Sequence, residues 1–303
     1  MRHVSIKNRW LSLQVLDYGA VIQKLRFRTA PDTWMDMVVG HEDPRAYLQD
    51  PFSMGACVGR FAGRLSGGSL DLGGKSFPLS HREGITLHGG TGGFGKRYWT
   101  IEAVEEGTDQ PEIRLSYFSP HLEEGFPGNL RVTLSYQLQE NALAIRHEAV
   151  TDRPTAVNLT NHSYFKIDRQ PLISHYRLRL QCSRRLETDA SLLPTGRLLE
   201  VAGTPFDFRK EKSLDDIALD TPFVVDPGAN PAAELYSPVS GVRMRVHTDQ
   251  KALVLFNPAG MPSLCFEAQN FPDAPRFSHF PSAVLHPWET YLNETRFVFE
   301  KQG

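Results

Sequence analysis

The stretch Leu130-Arg131-Val132-Thr133-Leu134-Ser135-Tyr136-Gln137-Leu138 alternates apolar and polar side chains, and after Gln139-Glu140-Asn141 the alternation resumes in Leu143, Ile145, His147 and Ala149. Successive side chains of a strand point to opposite faces, so this period of two predicts two half-buried antiparallel strands joined by a tight turn. Residues 176–182 set Leu178 and Leu180 against Arg177 and Arg179, and residues 241–246 set Val242, Met244 and Val246 against Arg243 and Arg245. Gly73-Gly74 joins Ser69-Leu70-Asp71-Leu72 to Lys75-Ser76-Phe77-Pro78-Leu79 as a further hairpin, because paired glycines accept the positive φ of a primed turn. Helical periodicity is scarce; a turn or two is expected at residues 211–219. The pattern predicts an all-β chain, one large antiparallel β-sandwich with residues 1–303 as a single domain, although the length also suffices for two smaller β domains.

With 33 basic and 35 acidic residues there is no global field to attract nucleic acid or an anionic membrane, and neither is expected as a partner. Cys57, Cys182 and Cys265 are odd in number and lie in mostly apolar surroundings. Without a CxxC pair they read as reduced core residues rather than a disulfide framework or a zinc site. The first residues, Met1-Arg2-His3-Val4-Ser5-Ile6-Lys7-Asn8-Arg9-Trp10, hold no apolar signal core, and no stretch is long enough to span a bilayer. Both absences fit a reducing cytoplasm.

Two segments far apart in the chain concentrate chemistry: Asn158-Leu159-Thr160-Asn161-His162-Ser163-Tyr164-Phe165 and Phe266-Glu267-Ala268-Gln269-Asn270-Phe271-Pro272-Asp273. Each sets one proton-transferring side chain, His162 or Glu267, among aromatic and amide groups. That mix suits a sugar site, where amides read hydroxyls, ring faces cover C–H surfaces, and an imidazole and a carboxylate move protons. Packed amides beside His162 are expected to orient its ring and fix its tautomer. Glu267 interrupts an apolar strand, and two readings stand: a carboxylate kept inside for function, or an outward-facing glutamate on an edge strand. Gly90 to Gly95 spell a literal GxGxxG, but a dinucleotide fingerprint needs a helix after it, and Lys96-Arg97-Tyr98-Trp99-Thr100-Ile101-Glu102 is aromatic and strand-like. A glycine-rich loop shaping a cleft is the better reading. His88 stands at its mouth, either as a site residue or as a structural histidine bonded to backbone.

These segments resemble those of the aldose 1-epimerases, also called galactose mutarotases. Residues 158–165 are similar to the family's NLTNHSYF run almost letter for letter, which implies that His162 is the general acid. Asn270-Phe271-Pro272-Asp273-Ala274 is similar to the family's signature after its catalytic base, which implies Glu267 for that role. Gly59-Arg60-Phe61-Ala62-Gly63-Arg64-Leu65, with Leu87-His88-Gly89-Gly90 and Gly93-Phe94, resembles the run that supplies a substrate-binding arginine and histidine, here Arg64 and His88. Asp220 matches by context an aspartate that binds sugar hydroxyls, with Asp226 as the competing assignment. Departures fall beside these positions. Gly63 stands where many relatives carry asparagine, so one hydroxyl contact is expected to be missing. Thr221-Pro222 replaces a usual His-Asn, residues 253–258 are less polar than usual, and Trp288 replaces a common glycine. The match spans nearly the whole chain, from Tyr18-Gly19-Ala20 to Tyr291.

The resemblance implies an isomerase on a galactose mutarotase-like supersandwich, interconverting the α and β anomers of a free hexose such as galactose or glucose. A base takes the proton of the C1 hydroxyl while an acid protonates the ring oxygen; the ring opens to the aldehyde, C1 turns, and closure reverses both transfers. That chemistry needs no metal and no redox group, so no cofactor is expected. The expected partner is a small-molecule monosaccharide, and the chain a monomer or homodimer. Three other readings compete. One is a non-catalytic carbohydrate-binding β-sandwich, another a glycosidase recruiting Glu267 and Asp220. The third is a hexose-phosphate 1-epimerase holding phosphate with Arg60, Arg64, Lys96 and Arg97.

Overall fold

The computed structural model describes residues 1–302, and among these the helices are short 3-10 turns at Pro44–Gln49, Phe94–Lys96, Glu123–Gly125 and Ala274–Arg276. Residues 211–219 form no helix. Lys212–Ser213 is instead a short strand paired with Leu178 and Arg177, so sheet pairing overrides the weak local periodicity.

The regular structure is otherwise antiparallel sheet. Leu130–Gln139 pairs with Ala142–Thr151 in unbroken register, from Leu130 opposite Thr151 to Gln139 opposite Ala142. Leu130, Val132, Leu134, Tyr136 and Leu138 are all buried, as the alternation requires. The hairpin belongs to a nine-stranded sheet, in which Ala142–Thr151 borders Tyr291–Lys301 and that strand borders Val242–Thr248. Gly73 and Gly74 turn the Ser69–Leu72 and Lys75–Pro78 hairpin, both with positive φ.

A seven-stranded sheet supplies the other wall of the core. Its Phe165 packs on Phe297 and Phe299 of the larger sheet, with ring centroids 4.6 Å and 6.4 Å away. Each such buried ring stabilises the fold by about 1.5–3 kcal/mol. Strand parity then decides what the opposite face carries. In Leu264–Gln269, Leu264, Phe266 and Ala268 belong to this core, so Cys265, Glu267 and Gln269 point the other way. The strand lies between Ala252–Phe256 and Tyr164–Phe165, a central position that rules out an edge-strand glutamate at 267.

Asn158 joins the motif segments to one another. It is fully buried; its Nδ2 donates to the carbonyls of Ala62 at 3.1 Å and Asn270 at 3.3 Å, and its Oδ1 accepts the Asn270 N–H at 2.8 Å. Its own N–H donates to the Arg60 carbonyl, and its carbonyl accepts the Ala62 N–H. Arg60, also buried, donates to the carbonyls of Pro127 and Gly128 and so fastens the same segment to a neighbouring loop. Replacing Asn158 by alanine leaves several buried backbone groups without partners, each costing about 1–3 kcal/mol. The expected loss for Asn158→Ala is about 3 kcal/mol of unfolding free energy, read from the urea midpoint. An unchanged midpoint contradicts this hub role.

Candidate active site

Four neighbouring strands lay two cross-strand rows on the face turned away from the core. One row runs Tyr164, Cys265, Phe256, Asp220; the other runs Glu267, Val254, Pro222. Most of these residues, with Arg64, His88, His162 and Gln269, line a cavity of about 170 Å³.

His162 enters from the loop before Tyr164–Phe165. The Asn161 Oδ1 accepts the Ser163 N–H at 3.1 Å and its hydroxyl at 2.6 Å, a side-chain turn that bends the chain at residue 162. The His162 N–H donates to the Ala56 carbonyl, and its own carbonyl accepts the Gly55 N–H. These bonds hold the backbone. The amides expected to hold the ring do not touch it, because Asn158 and Asn161 are spent on backbone groups and Ser163. Instead the ring packs on Tyr164, and its Nδ1 meets the Cys265 sulfur at 3.7 Å.

Its Nε2 lies 3.6 Å from Glu267 Oε1, with each side chain only 5% exposed. Burial pushes the Glu267 carboxyl up to about 8, reinforced by the negative charge of Asp220 and opposed by Arg64. Burial pushes the His162 imidazole down to about 4, against the pull of Asp50 and Asp220. Between those values the pair holds a single proton and no net charge. Such a proton belongs to the pair rather than to either residue.

His88 presents its ring edge-on to His162, centroids 5.2 Å apart. Two reciprocal bonds with Gly63 hold it: the His88 N–H donates to the Gly63 carbonyl at 3.0 Å, and the Gly63 N–H donates to His88 Nδ1 at 3.2 Å. A neutral imidazole that accepts at one nitrogen carries its proton on the other, so His88 Nε2 is a donor. Burial, then the charges of His162 and Arg64, hold His88 well below the usual imidazole range, which keeps it neutral. Gly63 has φ +77, and a Cβ there would sit 3.1 Å from Gln269 Nε2. A position that lacks a side chain thus sets the tautomer of its neighbour through the backbone.

Arg64 Nη2 donates to Asp220 Oδ2 at 3.3 Å on the opposite wall. The Arg64 carbonyl accepts the Asp273 N–H, and the Asp273 carboxylate accepts both the N–H and the hydroxyl of Ser66. The signature after Glu267 therefore locks the arginine loop in place. Asp226, the competitor of Asp220, lies elsewhere, accepting the Ser183 N–H and hydroxyl. Nor do the four basic residues gather as a phosphate site. Arg60 is buried on carbonyls, Arg97 pairs with Glu123 and Glu124, and Lys96 donates to the Thr91 carbonyl at the rim of a separate hollow. Of the four, Arg64 alone lines the cavity. The glycine-rich loop is followed by the 3-10 turn Phe94–Lys96 and the strand Thr100–Glu105, so it is no dinucleotide fingerprint.

Sequence reading passed over Gln269, which lines the cavity with its Oε1 buried and unpartnered. The signal was there, since Gln269 shares the parity of Glu267. The ligating atoms of His88, His162 and Glu267 lie within 4.8 Å of one another, a spacing from which a cation can be reached. The set does not fit one, because His88 Nε2 carries a proton where a metal needs a lone pair.

Residues 2–298 match the protein-family model described as aldose 1-epimerase. Human galactose mutarotase is 32% identical, with 95% of this chain and 91% of that one aligned. The aldose 1-epimerase of Escherichia coli strain K12 is 30% identical, with 96% and 93% aligned. Among solved structures, an aldose epimerase homologue from C. elegans superposes with a TM-score of 0.92 at 26% identity, covering 100% of this chain and 99% of its own. Galactose 1-epimerase from Lactobacillus acidophilus superposes with a TM-score of 0.87 at 29% identity, covering 99% and 95%.

The charges around Glu267 make a prediction that needs no activity assay. Asp220→Asn removes a like charge and frees Arg64, so the Glu267 carboxyl should titrate lower; Arg64→Met should move it higher. Carbon NMR of the labelled carboxyl reads both directions, and a shift of the opposite sign in either variant contradicts the arrangement.

Proposed function

The chain belongs to the aldose 1-epimerase family, and from that premise we propose that it opens and recloses a free hexose with Glu267 as base and His162 as acid. The observation that carries this reading is the buried His162–Glu267 pair, 3.6 Å apart in the wall of one cavity that Arg64, His88 and Asp220 also line. Anomer interconversion consumes and releases no proton, so its catalyst must hold one proton that can sit on either side.

The reactive form has that proton on His162. It is the minor form in the empty cavity, and sugar hydroxyls that donate to the Glu267 carboxylate stabilise it. Nε2–H protonates the ring oxygen as the C1–O5 bond breaks, while the Glu267 carboxylate takes the proton of the C1 hydroxyl. The product is the open aldehyde with the proton now on Glu267. Rotation about C1–C2 presents the other carbonyl face. The 5-hydroxyl then attacks C1, gives its proton to His162, and Glu267 returns its own to the former carbonyl oxygen. The pair ends as it began. Each such group typically contributes on the order of a hundred- to ten-thousand-fold.

The remaining residues position the sugar. His88 Nε2–H and the Arg64 guanidinium donate to sugar oxygens, and the Asp220 carboxylate and Gln269 Oε1 accept from hydroxyls. Galactose, named for several relatives, is the first substrate to try. The site draws on segments from residue 51 to residue 272, which supports treating residues 1–303 as one domain. Three buried, unpaired cysteines fit a cytoplasmic setting, and among the described residues no helix is long and apolar enough to cross a membrane.

Polarimetry on freshly dissolved single-anomer galactose, with the buffer rate subtracted, tests the roles. Glu267→Gln and His162→Asn should each lower kcat about a hundredfold or more with KM little changed, and the double variant should be scarcely worse than either single. Near-normal turnover in Glu267→Gln sinks the assignment. The pH profile is a second test. Below about pH 4 the pair gains a second proton and lacks a base, and above about pH 8 it loses its only proton and lacks an acid. The rate should follow a bell between those limbs, and a profile flat from pH 3 to 9 is incompatible with a shared proton.

A further inference from the structure

Cys265 has no place in the mechanism above, yet it is the one polar partner of the His162 ring nitrogen that faces away from Glu267. Its sulfur lies 3.7 Å from Nδ1, and the residue is completely buried. Sheet register sets it between Phe256 and Tyr164, whose rings both pack against the imidazole. We propose that Cys265 is a positioning residue that accepts a hydrogen bond from His162 Nδ1–H, leaving Nε2 as the nitrogen that takes and gives the catalytic proton. The proposal rests on the assignment of His162 as the acid.

The direction of that bond comes from the other nitrogen of the ring. Nε2 faces the Glu267 carboxyl at 3.6 Å, where it has to be free to take a proton. A neutral imidazole carries one hydrogen, so a ring that accepts at Nε2 carries it on Nδ1, pointed at the Cys265 sulfur. The sulfur lone pairs then accept it, and the Tyr164 hydroxyl is engaged elsewhere, donating to the Phe52 carbonyl at 2.8 Å.

The chemistry asks for the same tautomer. When an imidazolium gives up its Nε2 proton to a sugar oxygen, the neutral ring left behind carries its hydrogen on Nδ1. A site that favoured the other tautomer would force the ring to exchange both hydrogens in each cycle. The neighbouring His88 is held the opposite way by the Gly63 N–H. One imidazole is therefore set as a fixed donor and the other as a proton carrier. A thiol suits the second task because it is a weak, uncharged acceptor. A carboxylate in its place would stabilise the imidazolium and make His162 a poorer acid.

Nitrogen NMR of the ring-labelled wild-type protein at neutral pH gives the tautomer of His162 directly. The expected result is hydrogen on Nδ1; a spectrum showing hydrogen on Nε2 overturns the proposal whatever the variants do. In Cys265→Ala the ring should become a mixture of tautomers, with kcat lowered about tenfold and KM little changed. Cys265→Ser, which also accepts, should keep both the tautomer and most of kcat. Unaltered kcat and tautomer in Cys265→Ala likewise overturn it. If His162→Asn keeps its activity, the acid assignment fails, and the tautomer measurement still decides the role of Cys265 on its own.

Discussion

The Asn158 side chain makes three hydrogen bonds, all to backbone, and through Ala62 and Asn270 they tie its own segment to the two others that build the site. Of the three, only the segment ending at Asn270 continues a longer strand, Leu264–Gln269. The strands at Arg64–Leu65 and Thr160–Asn161 are each two residues long, too short to persist without neighbours. A buried amide that satisfies both a carbonyl and an N–H of the Asn270 peptide, plus the Ala62 carbonyl, supplies what sheet pairing does not. His162 is four residues after it along the chain, Arg64 follows Ala62 by two, and Glu267 precedes Asn270 by three. Their relative placement is a consequence of one side chain's geometry.

Electrostatically the site is built on withholding partners rather than supplying them. Glu267 and His162 are buried without a neutralising ion or a network of donors, so each is driven toward its uncharged form. Arg64, the nearest cation, is engaged by Asp220, which limits how far it can stabilise the Glu267 carboxylate. Holding two ionisable groups in a place that disfavours their charged forms costs the folded state free energy. The fold must supply that from packing elsewhere, and the two faced sheets with their shared aromatic core are the source.

Much of this was legible in the chain. The hairpin at residues 130–151 could be read residue by residue because one face is buried and alternation is strict. Residues 211–219 could not, since their structure is dictated by a strand from another part of the sheet. Whether Glu267 lay on an edge or in the centre was equally closed to local reading, because that depends on which strands flank it. The choice between Asp220 and Asp226 turned on cross-strand register, which places Asp220 beside Phe256 and sends Asp226 to Ser183. The amides beside His162 were visible, but their targets were not: short polar side chains in a turn serve the nearest backbone, and the ring found its partner on a distant strand.

The strand at Leu264–Gln269 is apolar on both faces except where chemistry intervenes, and its neighbours hold it from either side. A change of residue type at many of its positions alters size or polarity locally. A change of length does something else. Adding or deleting a single residue ahead of Glu267 would turn Phe266 into the cavity and carry the carboxylate into the aromatic core, inverting both faces at once. This part of the gene is therefore open to substitution but closed to insertion and deletion.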